Sequence, residues 1–513
     1  MPRKDRRQGA LAADPQGRRQ DGDALRPGPG RGGGPGRDRA PKARKGAVPG
    51  ARRDSLAERA GAAAQPAGPV FRPRGRKPAA TPDWRLALGE LKAALAPARA
   101  LFAPLFGAIR RERPERRCAY SAATLLWTVL VGFLLHHRSR NQMDARRNEG
   151  RHAESVMALS GQRVADGAEP RTACTGTVMN LLGALDPDAL AAVQYALVES
   201  MLRAKTLRRG KFLGCVMVAF DGTLRERKRG RGLAGKRKRR MTLEARITTP
   251  WGWNVTLASE PLEPWDDERE KQDHELAAFA RLARHLKRRF PRLPVCVLGD
   301  ALYDCAAVVE LCRKHSWSYI LTSKGGRQPS EMAAVDRTLE RAPKTHTGRL
   351  PAGRAGRVRW VSASEIEYET GRPALGNVVV VEEEGAKAYA GAFVTDFAVQ
   401  SARRAAQIAD WGRRRWLVEN GFHEQKGKDG FGLEHSFCTD ETAGRNMHTL
   451  MTIAYTLWQL LHDGYLKRLG ARCRHCAQIC WADVLRDALR LGGIAFGELD
   501  GRERARRMRV ARE

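Results

Sequence analysis

Apolar positions between Trp84 and Lys205 recur at helical intervals, beginning with Leu86, Leu88, Leu91 and Leu95 and followed by the unbroken run Ala122–Leu135. That run is shorter than the roughly 17 to 25 apolar residues that a bilayer requires, so it predicts a helix buried in a protein core. The remainder of this stretch reads as polar turns within an all-α domain. The period then changes. Gly214–Thr223 (GCVMVAFDGT) is a continuous apolar run, MTLEARIT alternates from Met241, and WNVTLAS alternates from Trp253, so three consecutive strands are expected. Lys271 to Phe290 predicts an amphipathic helix with Leu276, Phe279, Ala283 and Leu286 on one side. PVCVLGD is a short buried strand ending at Asp300, a helix runs through Leu311, and WSYILTSK is another strand, giving the order β-β-β-α-β-α-β. GRVRWVSA, NVVVVEEE and AYAGAFVTD, separated by Gly and Pro, read as an inserted β subdomain. Ser401 to Lys426 is helical and basic, and Ala443 to Leu466 is an apolar helix. The fold class is α/β. The predicted divisions are a basic, disordered arm over 1–82, an α-helical domain over 83–205, a first core segment over 206–324, the β-rich insertion over 325–400, a second core segment over 401–440 and a helical region over 441–513.

Charge changes the picture more than hydropathy does. The 513 residues hold 92 Lys+Arg against 57 Asp+Glu, a net +35, which points to a polyanionic partner. Nucleic acid is favoured over an anionic membrane because no stretch supports a span. The amino terminus is charged without an apolar h-region, so a cytoplasmic, nucleoid-associated protein is expected. Arg138, Arg140, Arg146, Arg147 and Arg151 suit contact with DNA but read first as a solvated basic face, whereas for the run from Arg225 to Arg240, which leaves the first strand just past Asp221, DNA contact is favoured over a solvated loop. Ten scattered cysteines fit reduced thiols. Cys473, Cys476 and Cys480, with His475, form one local cluster, but no second pair stands at zinc-finger spacing, and zinc stays open there.

Candidate chemistry lies in the carboxylates. AFDGTL and LGDALY each deliver an aspartate, Asp221 and Asp300, where a buried strand ends. Two such carboxylates side by side make a negative site that a cation relieves, although a strand-end Asp also caps turns. A third carboxylate, Glu419, lies in RRRWLVENGFHEQK. At about 100° per residue, Arg415 and Lys426 fall within about 40° of Glu419 on one helical stripe, so cation, carboxylate and cation share a face. A stripe of exposed ion pairs is the alternative.

FDGT around Asp221, KQDHELAAFARL from Lys271, LGDALYD around Asp300, RRRWLVENGF around Glu419 and KGKDGFGLEH through His435 together resemble the DDE transposases of bacterial cut-and-paste insertion sequences that carry a Tyr-Arg-Glu-Lys signature. The resemblance covers roughly residues 120 to 465. It implies a ribonuclease-H-like core, a mixed five-stranded sheet with flanking helices, interrupted by the β-rich insertion. It also implies catalysis by Asp221, Asp300 and Glu419 around two Mg²⁺ ions, with Mn²⁺ as a substitute. Arg415 and Lys426, with Arg414 and Trp416 beside them, are implied to bind DNA. The implied partners are double-stranded DNA, both terminal inverted repeats and target, and a second copy of the chain in a homodimer that pairs two ends. The signature tyrosine position is Gly412, with Trp411 next to it as the candidate aromatic. Asp273, Glu275, Asp304 and Glu424 rank below the triad, as residues near helix starts or off the stripe. A ribonuclease-H-like nuclease or resolvase, and a catalytically inactive DNA-binding remnant, are the competing readings.

Overall fold

A computed structural model describes residues 83–496 except 110–117, 228–238, 263–267, 324–328, 342–343, 351–354, 368–373, 385–389, 428–429, 467–468 and 470–477. All of these described residues fall within the compact unit Phe71–Glu513. The arm over 1–82 therefore lies outside the described residues, as do most of the Arg225 to Arg240 run and the side chains of Cys473, Cys476 and Cys480.

The three expected strands are β2 (Cys215–Arg227), β3 (Arg239–Thr248) and β4 (Asn254–Pro261), preceded by the short β1 (Lys211–Phe212). β2 pairs antiparallel with β3, and β3 with β4. On the other side of β2 lies β5 (Val295–Gly299), parallel to it, and then β6 (Ser318–Ser323), parallel to β5. The crossovers between these strands are α7 (Glu268–Arg289), which leads into β5, and α8 (Ala306–His315), which leads into β6. The buried, β-branched composition of β5 suits a strand covered on both faces.

The sheet does not stop at five strands. Residues expected to form a separate β subdomain instead continue it: β10 (Ala390–Thr395) pairs antiparallel with β6, followed by β9 (Asn377–Glu383), β8 (Ala355–Val361) and β7 (Thr345–Arg349). With β1 pairing to β2, ten strands form one sheet in the order β4-β3-β2-β5-β6-β10-β9-β8-β7. Without this pairing β6 would be an exposed edge of apolar residues, and Phe393 and Val394 of β10 cover it. The segment is also not purely β, since α9 (Pro329–Arg341) lies within it.

Helices cover both faces. On one face, Val216, Val218 and Phe220 of β2 pack with Phe279 and Leu282 of α7. On the other, Met217 and Ala219 join a larger core shared with the amino-terminal helices α1 (Trp84–Gly107), α2 (Ala122–Leu134), α3 (Arg140–Arg146), α4 (His152–Ser160), α5 (Thr175–Ala184) and α6 (Pro187–Arg203). The last four occupy what the sequence suggested were polar turns. α12 (Glu441–Leu461) packs against α1, α2, α5 and α6, and α13 (Gln478–Leu491) against α1, so the first and last parts of the described chain share one core. α2 is buried along its length, and among the described residues no single helix is long and apolar enough to cross a membrane.

Candidate active site

The strand register places the two aspartates level. β2 and β5 run parallel with Ala219 opposite Leu298, and the chain continues two residues from each, to Asp221 and to Asp300. Asp300 then turns the chain: its Oδ1 accepts from the Leu302 amide at 2.8 Å, and its carbonyl accepts from the Tyr303 amide. Alternation along β2 puts Asp221 on the face of Met217 and Ala219, toward the helices that carry Glu419.

Those helices are two rather than one. α10 (Ala402–Arg414) packs on β6, β8, β9 and β10, and α11 (Trp416–Lys426) packs across β2, β3 and β4. The single helix expected over 401–426 is interrupted at Arg415, which ends the first and begins the second. Arg415 sits at this junction, 7% exposed, with Nη2 donating to Glu419 Oε1 at 2.8 Å and Nη1 3.7 Å from Asp221 Oδ2. Its guanidinium thus joins the first carboxylate to the third.

Electrostatics report a shared negative field. Burial pushes the Asp221 carboxyl up to about 7; Arg415 opposes this, while Glu419, Glu275 and Asp300 add to it. Burial also works against the charge on Arg415, but Asp221 and Glu419 outweigh it and hold its pKa above the usual value. Among the described residues, no three His, Cys, Asp or Glu side chains stand close enough, as placed, to ligate one ion. The donor set is nonetheless oxygen only, and a carboxyl driven up to about 7 by burial and neighbouring carboxylates is the kind of group that a hard divalent cation relieves. Arg415 supplies that counter-charge here.

Two groups near the aspartates carry more than the sequence suggested. Glu275, ranked below the triad as a residue near a helix start, lies two turns into α7 and is 9% exposed, and Tyr303 donates its hydroxyl to Glu275 Oε1 at 3.0 Å. One signal was available, because Glu275 precedes Phe279 by one helical turn and so belongs to the buried stripe of α7.

The other expected DNA contacts are unequally placed. Trp416 is 46% exposed. Arg414 is committed within the chain, to Asp410 at 2.9 Å and to the Pro250 carbonyl at 3.1 Å. Lys426 lies 3.3 Å from Glu434. Trp411 is buried against Phe212 and offers no aromatic surface. Glu424 accepts from the Tyr455 hydroxyl at 2.6 Å and so belongs to the α12 packing. Several amino-terminal arginines hold the fold: Arg147 reaches the Thr172 carbonyl and Arg151 the Gly492 carbonyl. Arg225 and Arg240 both pair with Glu441 at the start of α12.

This chain carries, over residues 268–457, a match to the family model described as the transposase DDE domain. The match spans Glu275, Asp300, Arg415 and Glu419 and begins after Asp221. Among solved structures, the chain is similar to the piggyBac transposase in a cryo-EM structure of its synaptic complex with hairpin DNA, with 9% identity, a TM-score of 0.34, and coverage of 83% of this chain and 85% of that one. No curated protein matches the chain.

Proposed function

We propose that this protein is a transposase that cuts DNA at the ends of an insertion sequence and joins those ends to target DNA. The observation that supports the reading is the Arg415 link from Glu419 at 2.8 Å to Asp221 at 3.7 Å, with Asp221 and Asp300 each two residues beyond paired positions of adjacent parallel strands. The strand order β4-β3-β2-β5-β6 supports the ribonuclease-H-like core proposed for it. Asp221, Asp300 and Glu419 would hold Mg²⁺, or Mn²⁺, as a pair of ions that activate the attacking oxygen and stabilise the departing one. In the first reaction a water oxygen bonds to phosphorus as the bond to the 3′ oxygen breaks, leaving a 3′-hydroxyl at the element's end. In the second, that hydroxyl attacks a target phosphodiester and displaces another 3′ oxygen. Arg415 and Lys426 flank Glu419 with positive charge for the phosphates on either side of the scissile bond, and exposed Trp416 offers a stacking face. Pairing of two ends calls for a homodimer.

The test is incubation of the full-length protein and Mg²⁺ with a supercoiled donor plasmid carrying the inverted repeats that bracket its own reading frame. Excision and integration, lost in Asp300→Asn, support the proposal. Cleavage confined to branched junctions identifies a resolvase, and retardation without cleavage identifies a DNA-binding remnant.

A further inference from the structure

The two aspartates are each adjacent to a glycine, one facing Glu275 and Met241 and the other facing Tyr303 and Leu321, and Glu275 and Tyr303 are bonded to each other. Gly222 follows Asp221, and a Cβ there would lie 3.3 Å from Glu275 Oε2. Gly299 precedes Asp300, and a Cβ there would lie 2.6 Å from Tyr303 Cβ and 2.9 Å from Leu321 Cδ2, too close for any side chain. Both φ values are ordinary, and at Gly299 close approach, rather than backbone freedom, excludes a side chain. Tyr303 is 1% exposed, its ring packs edge-on to Phe279 at 5.2 Å, and its hydroxyl is spent on Glu275. Alternation puts Gly222, and therefore Glu275, on the opposite face of β2 from Asp221.

We propose that Glu275 and Tyr303 are a positioning pair for the metal-binding aspartates, packed behind the sheet edge and acting through the two glycines. Tyr303 closes the turn that begins at Asp300, and its hydroxyl bond to Glu275 pins that turn to α7. Glu275 brings a further negative charge against the backbone that follows Asp221. The pair therefore fixes where Asp300 stands and deepens the field that attracts a divalent cation. Outer partners of this kind change metal affinity by roughly 10- to 100-fold when removed. The electrostatic coupling of Glu275 to Asp221 agrees with this role.

This inference rests on the transposase reading, and the experiment separates the two. Mn²⁺ affinity is measured by electron paramagnetic resonance on full-length protein without DNA, for Glu275→Gln, Tyr303→Phe, Asp221→Asn and Asp300→Asn, alongside thermal midpoints and metal-free DNA retardation. Glu275→Gln is expected to weaken Mn²⁺ binding roughly tenfold, at the low end of such effects, with the midpoint and retardation unchanged. Tyr303→Phe is expected to weaken it by about threefold, as a single lost hydrogen bond would, and the double variant no more than Glu275→Gln alone. If the Asn variants lose Mn²⁺ while Glu275→Gln keeps wild-type affinity, the pair has no positioning role and the transposase reading stands. If Glu275→Gln fails to fold, Tyr303→Phe decides, and wild-type affinity in it overturns the proposal. If both Asn variants bind Mn²⁺ as wild type does, the transposase reading fails and this inference falls with it.

Discussion

At the scale of single residues, the packing at Gly412 admits no larger residue. A Cβ at Gly412 would stand 2.3 Å from the ring of Phe393, so α10 lies directly on β10 and leaves no room for any side chain. Alanine in a helix interior ordinarily gains about 1 kcal/mol over glycine. Here overpacking, typically about 1–3 kcal/mol, outweighs that gain, and Gly412→Ala is expected to lower stability in urea unfolding. A raised midpoint would contradict the packing. Arg415 calls for a different test, because it neutralises Asp221 and Glu419 at once. Arg415→Met leaves those two carboxylates facing each other, and since they are 23% and 30% exposed the loss is expected to be about 1–3 kcal/mol, less than for a fully buried pair. Added Mg²⁺ should then raise the thermal midpoint of the variant more than that of the wild type, since a cation replaces the missing charge. Equal shifts would show that Arg415 and the ion do not compete for the same carboxylates.

Secondary-structure elements show what could and could not be read in advance. Period-2 and continuous apolar runs identified β2 to β6 within a few residues, and the aspartates stood out because two such runs end in the same way. The glutamate was legible from its charged neighbours, but the break at Arg415 was not, because a backbone turn that keeps helical dihedrals leaves no mark on the periodicity. Helices α3 to α6 were missed because their buried faces mix Thr, Gln and His with Leu and Val. Pairing of β10 with β6 depends on contacts across some 70 residues, which no local pattern encodes. Also hidden was the ionic knot that fastens α11 and α12 to the sheet. Arg246 and Glu244 of β3 pair at 2.8 Å with no exposure. The Arg246 guanidinium lies 4.1 Å from the Phe422 ring of α11, and His448 of α12 comes within 3.1 Å of Glu244. Burial alone would raise the Glu244 pKa, but Arg246 and His448 hold it well below the carboxylate range. Glu244→Gln is therefore expected to destabilise by about 3–5 kcal/mol, whereas Glu244→Leu combined with Arg246→Met should lose less. Chemical denaturation of the three proteins gives the comparison, and a double variant worse than the single would refute the argument.

Over the whole molecule, a single core runs from the amino-terminal helices through α12 to the sheet face beneath Asp221, so stability and site geometry are coupled. Acid should expose that coupling. His152 opens α4 and is 5% exposed, and burial pushes its pKa down to about 4 from the ordinary 6.5. His137 is pushed down to about 3, first by burial and then by the positive charge of His152, Arg486 and Arg146. Both are neutral in the fold, whereas an unfolded chain takes up their protons once the pH falls below about 6.5. Stability is therefore fully present above 6.5 and lost as pH falls toward 4. The loss is about 3 kcal/mol for His152 alone, because each tenfold difference in proton affinity between the folded and unfolded chain is worth about 1.4 kcal/mol. Other groups also titrate in that range, so the slope difference between proteins is the useful quantity. Urea midpoints measured at about pH 6.5 and about pH 5 should fall further in the wild type than in His152→Gln, by the equivalent of about 2 kcal/mol. The variant is expected to be less stable at neutral pH yet flatter toward acid. Parallel pH profiles would mean that His152 is not held neutral by its burial and that the amino-terminal helices do not set the acid limit of this core.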